Sequence, residues 1–92
     1  MKYAKNIIND FVNTELKNQY ILNDLLAISK MPNIVCYEYE CNQYNVIFHR
    51  RESCVTILDS VSEEYGVLQE QTRAVISQLE FINILSSSID KQ

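Results

Sequence analysis

Two cysteines and the single histidine of the chain are the residues whose types and spacing suggest chemistry. Cys36, His49 and Cys54 lie on three segments that are predicted to be successive strands, in a register that places them directly opposite one another. Two thiolates and an imidazole are zinc ligands, and a thiol beside an imidazole is also a nucleophilic pair. The set lacks a fourth ligand and a loop to enclose a substrate. We therefore predict no metal, no cofactor and no enzymatic activity.

The only cationic cluster is His49-Arg50-Arg51, which is predicted to lie at a hairpin tip. Cations at such a tip are suited to a phosphate or a carboxylate, so a nucleic-acid-binding module that uses these three residues is the alternative function. The competing interpretation is a solvated turn without a ligand.

The strands that position these residues are predicted from the alternation of apolar and polar side chains. They run from Ile34 to Cys41, from Tyr44 to Arg50 and from Cys54 to Leu58, with turns at 42–43 and 51–52. Pairing Cys41 with Tyr44 and Arg50 with Ser53 gives one apolar face across all three strands: Tyr37, Tyr39, Val46, Phe48, Val55 and Ile57.

A first helix is predicted from about Tyr3 to Ser29. Its apolar face keeps one register before and after a polar segment, which favours one helix over two helices broken near Asn13. Glu15 and Asn18 lie on the same face within that segment, either in solvent beyond the sheet or as a buried polar site.

A second helix is predicted from about Ser60 to Ser86, with Ser60 and Glu63 as a capping box. Gly66 is the one discordant residue, because glycine weakens a helix interior. The spacing of three and four residues defines a stripe that should face the sheet: Val61, Tyr65, Leu68, Thr72, Val75, Leu79, Ile82 and Ser86.

These elements predict a single α+β domain over residues 1–92, of order α-β-β-β-α, in which two long helices cover one face of a three-stranded antiparallel meander. The net charge of −4 argues against general binding to nucleic acid or to an anionic membrane. No apolar run approaches a membrane span, and no secretion signal precedes Asn9. Three cysteines without a CxxC motif predict a reducing cytoplasm.

Two surfaces remain for partners in this fold. The sheet face opposite the helices is either plain solvent-exposed surface or a surface that binds a protein, with two acids as a charged rim; its residues are Glu38, Glu40, Ile47, His49 and Leu58. A second stripe on the second helix predicts a symmetric homodimer, unless the first helix covers that stripe: Val67, Ala74, Phe81 and Leu85.

The predicted topology resembles that of the double-stranded-RNA-binding domain. That family uses a lysine-rich start of its second helix, whereas the residues here are Asp59, Ser60, Glu63 and Glu64, so RNA binding is not expected. In size, acidity and architecture the chain also resembles small phage anti-CRISPR and other anti-defence proteins, with Glu38 and Glu40 on an acidic strand. That resemblance implies a stoichiometric inhibitor that occupies a working surface of a host defence or regulatory protein.

Overall fold

The computed structural model describes residues 2–31, 35–67 and 72–90, with side chains over 6–31, 35–67 and 72–89. Within these ranges the chain forms four α-helices and four strands: α1 (Lys2–Thr14), α2 (Gln19–Ser29), β1 (Cys36–Glu40), β2 (Tyr44–His49), β3 (Cys54–Asp59), α3 (Ser60–Glu64), β4 (Arg73–Ser77) and α4 (Gln78–Asp90). A short 3-10 helix, Glu15–Lys17, separates α1 from α2. The α+β class is confirmed. The starting residue Ile34 of the first predicted strand and the stripe residue Leu68 lie outside the described residues.

The sheet is an antiparallel meander in the order β1-β2-β3-β4. The predicted register of the first three strands is confirmed, because Tyr39 pairs with Val46 and Phe48 pairs with Val55. The fourth strand was not predicted. It pairs with β3 so that Ala74 lies beside Ile57 and continues the apolar face.

The core lies between this apolar face and α1, α2 and α4. Phe81 of α4 is fully buried at its centre, with its ring 5.6 Å from that of Phe48 and 6.4 Å from that of Phe11. The other large side chains that the helices bury are aliphatic: Leu16, Leu22, Leu25 and Leu85.

The prediction of one helix from Ser60 to Ser86 is wrong, because the chain stops the helix at Gly66. This glycine has φ +87°, in the left-handed region that residues with a side chain rarely adopt. The Gly66 N–H donates to the carbonyl of Glu63, and the Val67 N–H donates to the carbonyl of Ser62. These two bonds form a Schellman motif, which ends a helix and satisfies its last carbonyls. The predicted cap also differs, since the Asp59 carboxylate, and not Ser60, accepts the Ser62 N–H at 3.0 Å.

Because this helix does not form, the burial predicted for its two stripes is largely exchanged between them. In the first stripe, Tyr65, Val75 and Leu79 are exposed instead of facing the sheet. In the second stripe, Ala74, Phe81 and Leu85 are buried in the core and Val67 is exposed. The dimer surface predicted from the second stripe is therefore wrong, because its central residues are already covered within one chain.

The prediction of one continuous first helix is wrong. The chain forms two helices, and the break lies two residues after Asn13, close to the position that the alternative gave. The Asn18 side chain accepts the N–H of Tyr20 at 2.9 Å and so caps α2 as a separate helix. Glu15 turns into the protein and is 3% exposed. The polar segment is thus a structural junction, with Glu15 buried and Asn18 in solvent.

Candidate functional site

The face of the sheet that points away from α1, α2 and α4, which we call the open face, carries three rows of side chains. The rows follow from the register, because residues that pair across neighbouring strands point to the same side. They are Cys36, His49, Cys54 and Ser77; Glu38, Ile47, Thr56 and Val75; and Glu40, Asn45, Leu58 and Arg73.

All five residues predicted to bind a partner lie on the open face, but one of them is buried. Glu38 and Glu40 are exposed, and Ile47 and His49 are half-buried. Leu58 is only 7% exposed. Its side chain packs within the chain and offers little area to a partner, so the prediction of Leu58 as a contact residue is wrong.

Val75 is an exposed apolar residue of the open face that was not predicted from the sequence. It lies on the open face beside Thr56 and is 63% exposed. The helical spacing had assigned it to a buried stripe. The sequence carries no clear signal for it, because Ala74, Val75 and Ile76 are all apolar, and the alternation of the strand appears only in burial, with Ala74 and Ile76 buried and Val75 exposed.

The acids of the open face make few contacts with cations. Glu38 accepts a hydrogen bond from the Asn45 side chain at 2.8 Å. Arg73 pairs instead with Glu63 of α3, with 2.9 Å between Nε and Oε2. This pairing raises the pKa of Arg73, and the same arginine, together with a bond from Thr72, lowers the pKa of Glu63. The strand that carries Glu38 and Glu40 therefore keeps an acidic, solvent-facing surface.

The row of Cys36, His49 and Cys54 forms as predicted, but its members do not meet at a metal site. The His49 ring nitrogen Nε2 lies 3.2 Å from the hydroxyl oxygen of Thr56. Among the described residues, no three His, Cys, Asp or Glu side chains are grouped so that they could hold a metal ion. All three cysteines of the chain are free thiols. Beside Cys36 and His49 lies only a shallow depression of about 220 Å³.

The cationic cluster at the β2–β3 turn is divided between two environments. Arg50 reaches the end of α2, where its Nη2 donates to the carbonyls of Ile28, Ser29 and Met31 at 2.8 to 3.0 Å. A cation is favourable at this end of a helix, which carries unsatisfied carbonyls and partial negative charge. Arg51 is exposed. Arg50 thus fixes α2 to the sheet, and Arg51 is left as the fully exposed cation of the cluster.

The acids on the helix side have structural partners. Glu15 accepts the backbone N–H groups of Gln43 and Tyr44 at 2.8 and 2.9 Å, and the Asn42 side chain at 3.3 Å. Asp10 accepts the phenol O–H of Tyr44. These contacts hold the β1–β2 turn against the helix layer.

Burial and the neighbouring acids also raise the pKa of nearby groups. Burial, followed by the bond to Asp10, raises the pKa of Tyr44 well above its usual range. Tyr39 donates to Asp24 at 2.6 Å, and burial together with this bond raises its pKa in the same way. Burial and then the Glu15 charge raise the pKa of Cys41 to about 12. The phenols and this thiol are therefore protonated and unreactive near neutral pH.

A groove of about 380 Å³ runs between α1 and α4 on the opposite side of the molecule. Its floor is apolar, from Ile8, Val12 and Ile84, and its rim is polar, mainly from asparagine and serine. The groove is open to solvent and contains one charged residue, Glu80. It offers no pair of groups for acid–base chemistry.

None of the helices in the described residues is both long and apolar enough to cross a bilayer. Comparison with family models, with curated proteins and with solved structures finds no match to this chain.

Proposed function

We propose that the protein is a non-enzymatic binding module whose open face docks onto another protein. The observation that carries the proposal is a sheet that α1, α2 and α4 cover on one side, whereas the other side is covered only in part, where α3 bonds to Arg73 and where Thr56 and Leu58 are buried. Its other side combines the half-buried Ile47 and the exposed Val75 with the acids Glu38 and Glu40. An apolar centre with a polar rim is the usual composition of a protein–protein interface.

The proposed mode of action is stoichiometric occupation of the partner's surface, as the resemblance to small phage anti-defence inhibitors implies. The net charge of −4 and the acidic strand β1 favour a partner surface that is basic. Three free thiols fit a reducing compartment, and the proposal therefore includes the cytoplasm.

The test compares three forms of the protein as bait in the source cell or its host, with quantitative mass spectrometry of what each retains. Glu38→Lys with Glu40→Lys reverses the charge of the proposed rim. Glu64→Lys with Glu80→Lys makes the same change in charge at two exposed residues outside the strands.

We expect at least one protein that binds to the wild type and to the control double variant but not to the Glu38→Lys, Glu40→Lys double variant. A single contact that turns repulsive costs several kcal/mol, so the loss should exceed about 100-fold in affinity. A retained set that is the same for all three forms would exclude the open face.

The alternative function, nucleic-acid binding through His49, Arg50 and Arg51, has less support. Arg50 already donates to three carbonyls, and the chain as a whole carries a net charge of −4. Fluorescence anisotropy with labelled single-stranded DNA and double-stranded RNA at low salt tests it. Salt-sensitive binding that Arg51→Ala abolishes would favour the alternative.

The homodimer predicted from the sequence needs a different surface from the one first assigned to it. Phe81 and Leu85 are both fully buried within one chain, so a symmetric contact through them would require α4 to leave the core. Phe81→Glu should therefore unfold the protein instead of giving a folded monomer, because it places a charge at the centre of the core.

A further inference from the structure

The outer edge of β4 is an unpaired strand edge of the described sheet. The Gln78 N–H donates to the carbonyl of Ser53. Ile76 and Ala74, two and four residues earlier, therefore also direct their N–H and C=O groups toward β3. In an antiparallel ladder the alternate residues then point their N–H and C=O groups away from β3. Arg73, Val75 and Ser77 are those residues, and within the described part of the chain no strand lies beyond them.

The two outer edges of the sheet differ in how they are protected against pairing. The outward residues of β1 include the exposed acids Glu38 and Glu40, and like charges placed on an edge prevent two copies from joining there. The edge of β4 has no acid between Arg73 and Ser77. Its centre is Val75, a β-branched residue that is 63% exposed.

We propose that β4 pairs with β4 of a second copy of the chain, antiparallel and about a two-fold axis at Val75. In this register Val75 lies opposite Val75 of the second copy, and Arg73 lies opposite Ser77 of the second copy. Six backbone hydrogen bonds form from the three outward residues of each strand. No like charges meet, since the two copies of Arg73 are about 14 Å apart along the strands. Each arginine also keeps its bond to Glu63 within its own chain.

The register about Val75 is favoured because it forms the most backbone hydrogen bonds. A two-fold axis at Ile76 would set Arg73 opposite Leu79 of the second copy, which is in α4 and not in the strand, and would form four backbone hydrogen bonds instead of six. The resulting eight-stranded sheet joins the two open faces into one surface. Because a five-residue edge buries little area, the dimer should be weak, with a dissociation constant in the micromolar range. This inference does not rest on the proposed function, because mass and amide exchange test the dimer without any binding partner.

The first experiment measures mass and amide exchange together. Sedimentation velocity over a range from about 5 to about 500 µM should show a shift from monomer to dimer. Over the same range, hydrogen exchange should slow at least about tenfold at the amides of Arg73, Val75 and Ser77. The outward amides of β1, at Cys36, Glu38 and Glu40, should exchange rapidly at every concentration.

Val75→Pro is the sharpest variant, because proline removes only the N–H that points away from β3. The preceding residue, Ala74, is already extended, as a residue before proline must be. Glu38→Pro is the matched control on the other edge. We expect the Val75→Pro protein to be folded and monomeric at 500 µM, about the highest concentration tested, and the control to dimerise like the wild type.

Val75→Lys provides a second variant in case proline destabilises the strand. It keeps the N–H and sets two like charges directly opposite each other across the axis. Leu79→Lys is its control, since Leu79 is 70% exposed and lies outside the strand. A wild type that stays monomeric at every concentration would overturn the proposal. A dimer whose protected amides lie on β1 or on the helices, or one that both Val75 variants retain, would overturn it as well.

Discussion

The carboxylate of Glu15 accepts the backbone N–H of Tyr44 at 2.9 Å, across a separation of 29 residues in the chain. The same oxygen accepts the N–H of Gln43 at 2.8 Å. One side chain at the junction of α1 and α2 thus satisfies two donors of the β1–β2 turn, and it explains why a carboxylate can be 3% exposed without a cation beside it.

Glu15→Ala should be among the most destabilising polar substitutions, because it leaves the buried N–H of Tyr44 and the partly buried N–H of Gln43 without an acceptor. We expect the free energy of unfolding to fall by about 2–4 kcal/mol in urea titrations. Glu15→Gln keeps one carbonyl oxygen and should lose less. Glu64→Ala, at an exposed site, is the control and should stay within about 0.5 kcal/mol of the wild type. Equal losses for the Glu15→Ala and Glu64→Ala proteins would contradict the assigned role.

Arg50 and Arg51 are neighbours that should respond very differently to substitution. Arg50→Ala removes Nη2, the one nitrogen that donates to three carbonyls at the end of α2, and should lower the free energy of unfolding by about 1.5–3 kcal/mol. Arg51→Ala removes an exposed charge and should change it by less than about 0.5 kcal/mol. Thermal unfolding followed by circular dichroism measures both. A larger loss for Arg51 would mean that Arg50 does not anchor the helix.

The strands were predictable from the sequence because their apolar and polar residues alternate, and one register alone keeps Tyr39, Val46 and Ile57 on one face. The row of Cys36, His49 and Cys54 followed from that register. These inferences needed only local periodicity and the length of two turns.

The region after Ser60 was not predictable in the same way, because a spacing of three and four fits several elements in succession as well as one helix. Val75 and Leu79 continue the spacing of Val61 and Tyr65 although they lie on a strand and on another helix. Gly66 was the one residue that argued against a single helix, but whether it ends a helix depends on the backbone angle that it adopts in the fold. The burial of Glu15 was one of two alternatives that the sequence could not decide between, since its partners are backbone groups 28 and 29 residues away.

Gly66→Ala should destabilise the protein even though space is available for the added methyl group. An added Cβ would meet no atom within 4 Å, so the cost comes from the backbone angle of +87° alone. We expect a loss of about 1 kcal/mol in the free energy of unfolding. Gly66→Asn should lose less, because asparagine tolerates the left-handed region better than alanine does. A stabilised Gly66→Ala protein would indicate that the helix can continue past this residue.

The contact between Glu63 and Arg73 should contribute stability that depends on pH. Arg73 and Thr72 lower the pKa of the Glu63 carboxyl below its usual value of 4.5. A carboxyl with a lowered pKa stabilises the folded state above that value, and the contribution is lost as the pH falls through the pKa of the folded state. The pair is partly exposed, so the contribution at neutral pH should be about 0.5 kcal/mol. In urea titrations, Glu63→Gln should be less stable than the wild type at pH 7 and equal to it near pH 2 (about two units below the usual value).

The three thiols should differ in their reaction with a maleimide or iodoacetamide near neutral pH. Cys36 is exposed, whereas burial and the nearby Glu15 charge raise the pKa of Cys41 to about 12. Since the thiolate is the reactive form, Cys41 should be modified much more slowly than the exposed Cys36. Peptide mapping by mass spectrometry over time measures the rate at each site. In Glu15→Gln, where the neighbouring charge is gone, Cys41 should react faster while Cys36 is unchanged. Rapid modification of Cys41 in the folded wild type would show that the turn at 42–43 opens readily and that Glu15 does not hold it closed.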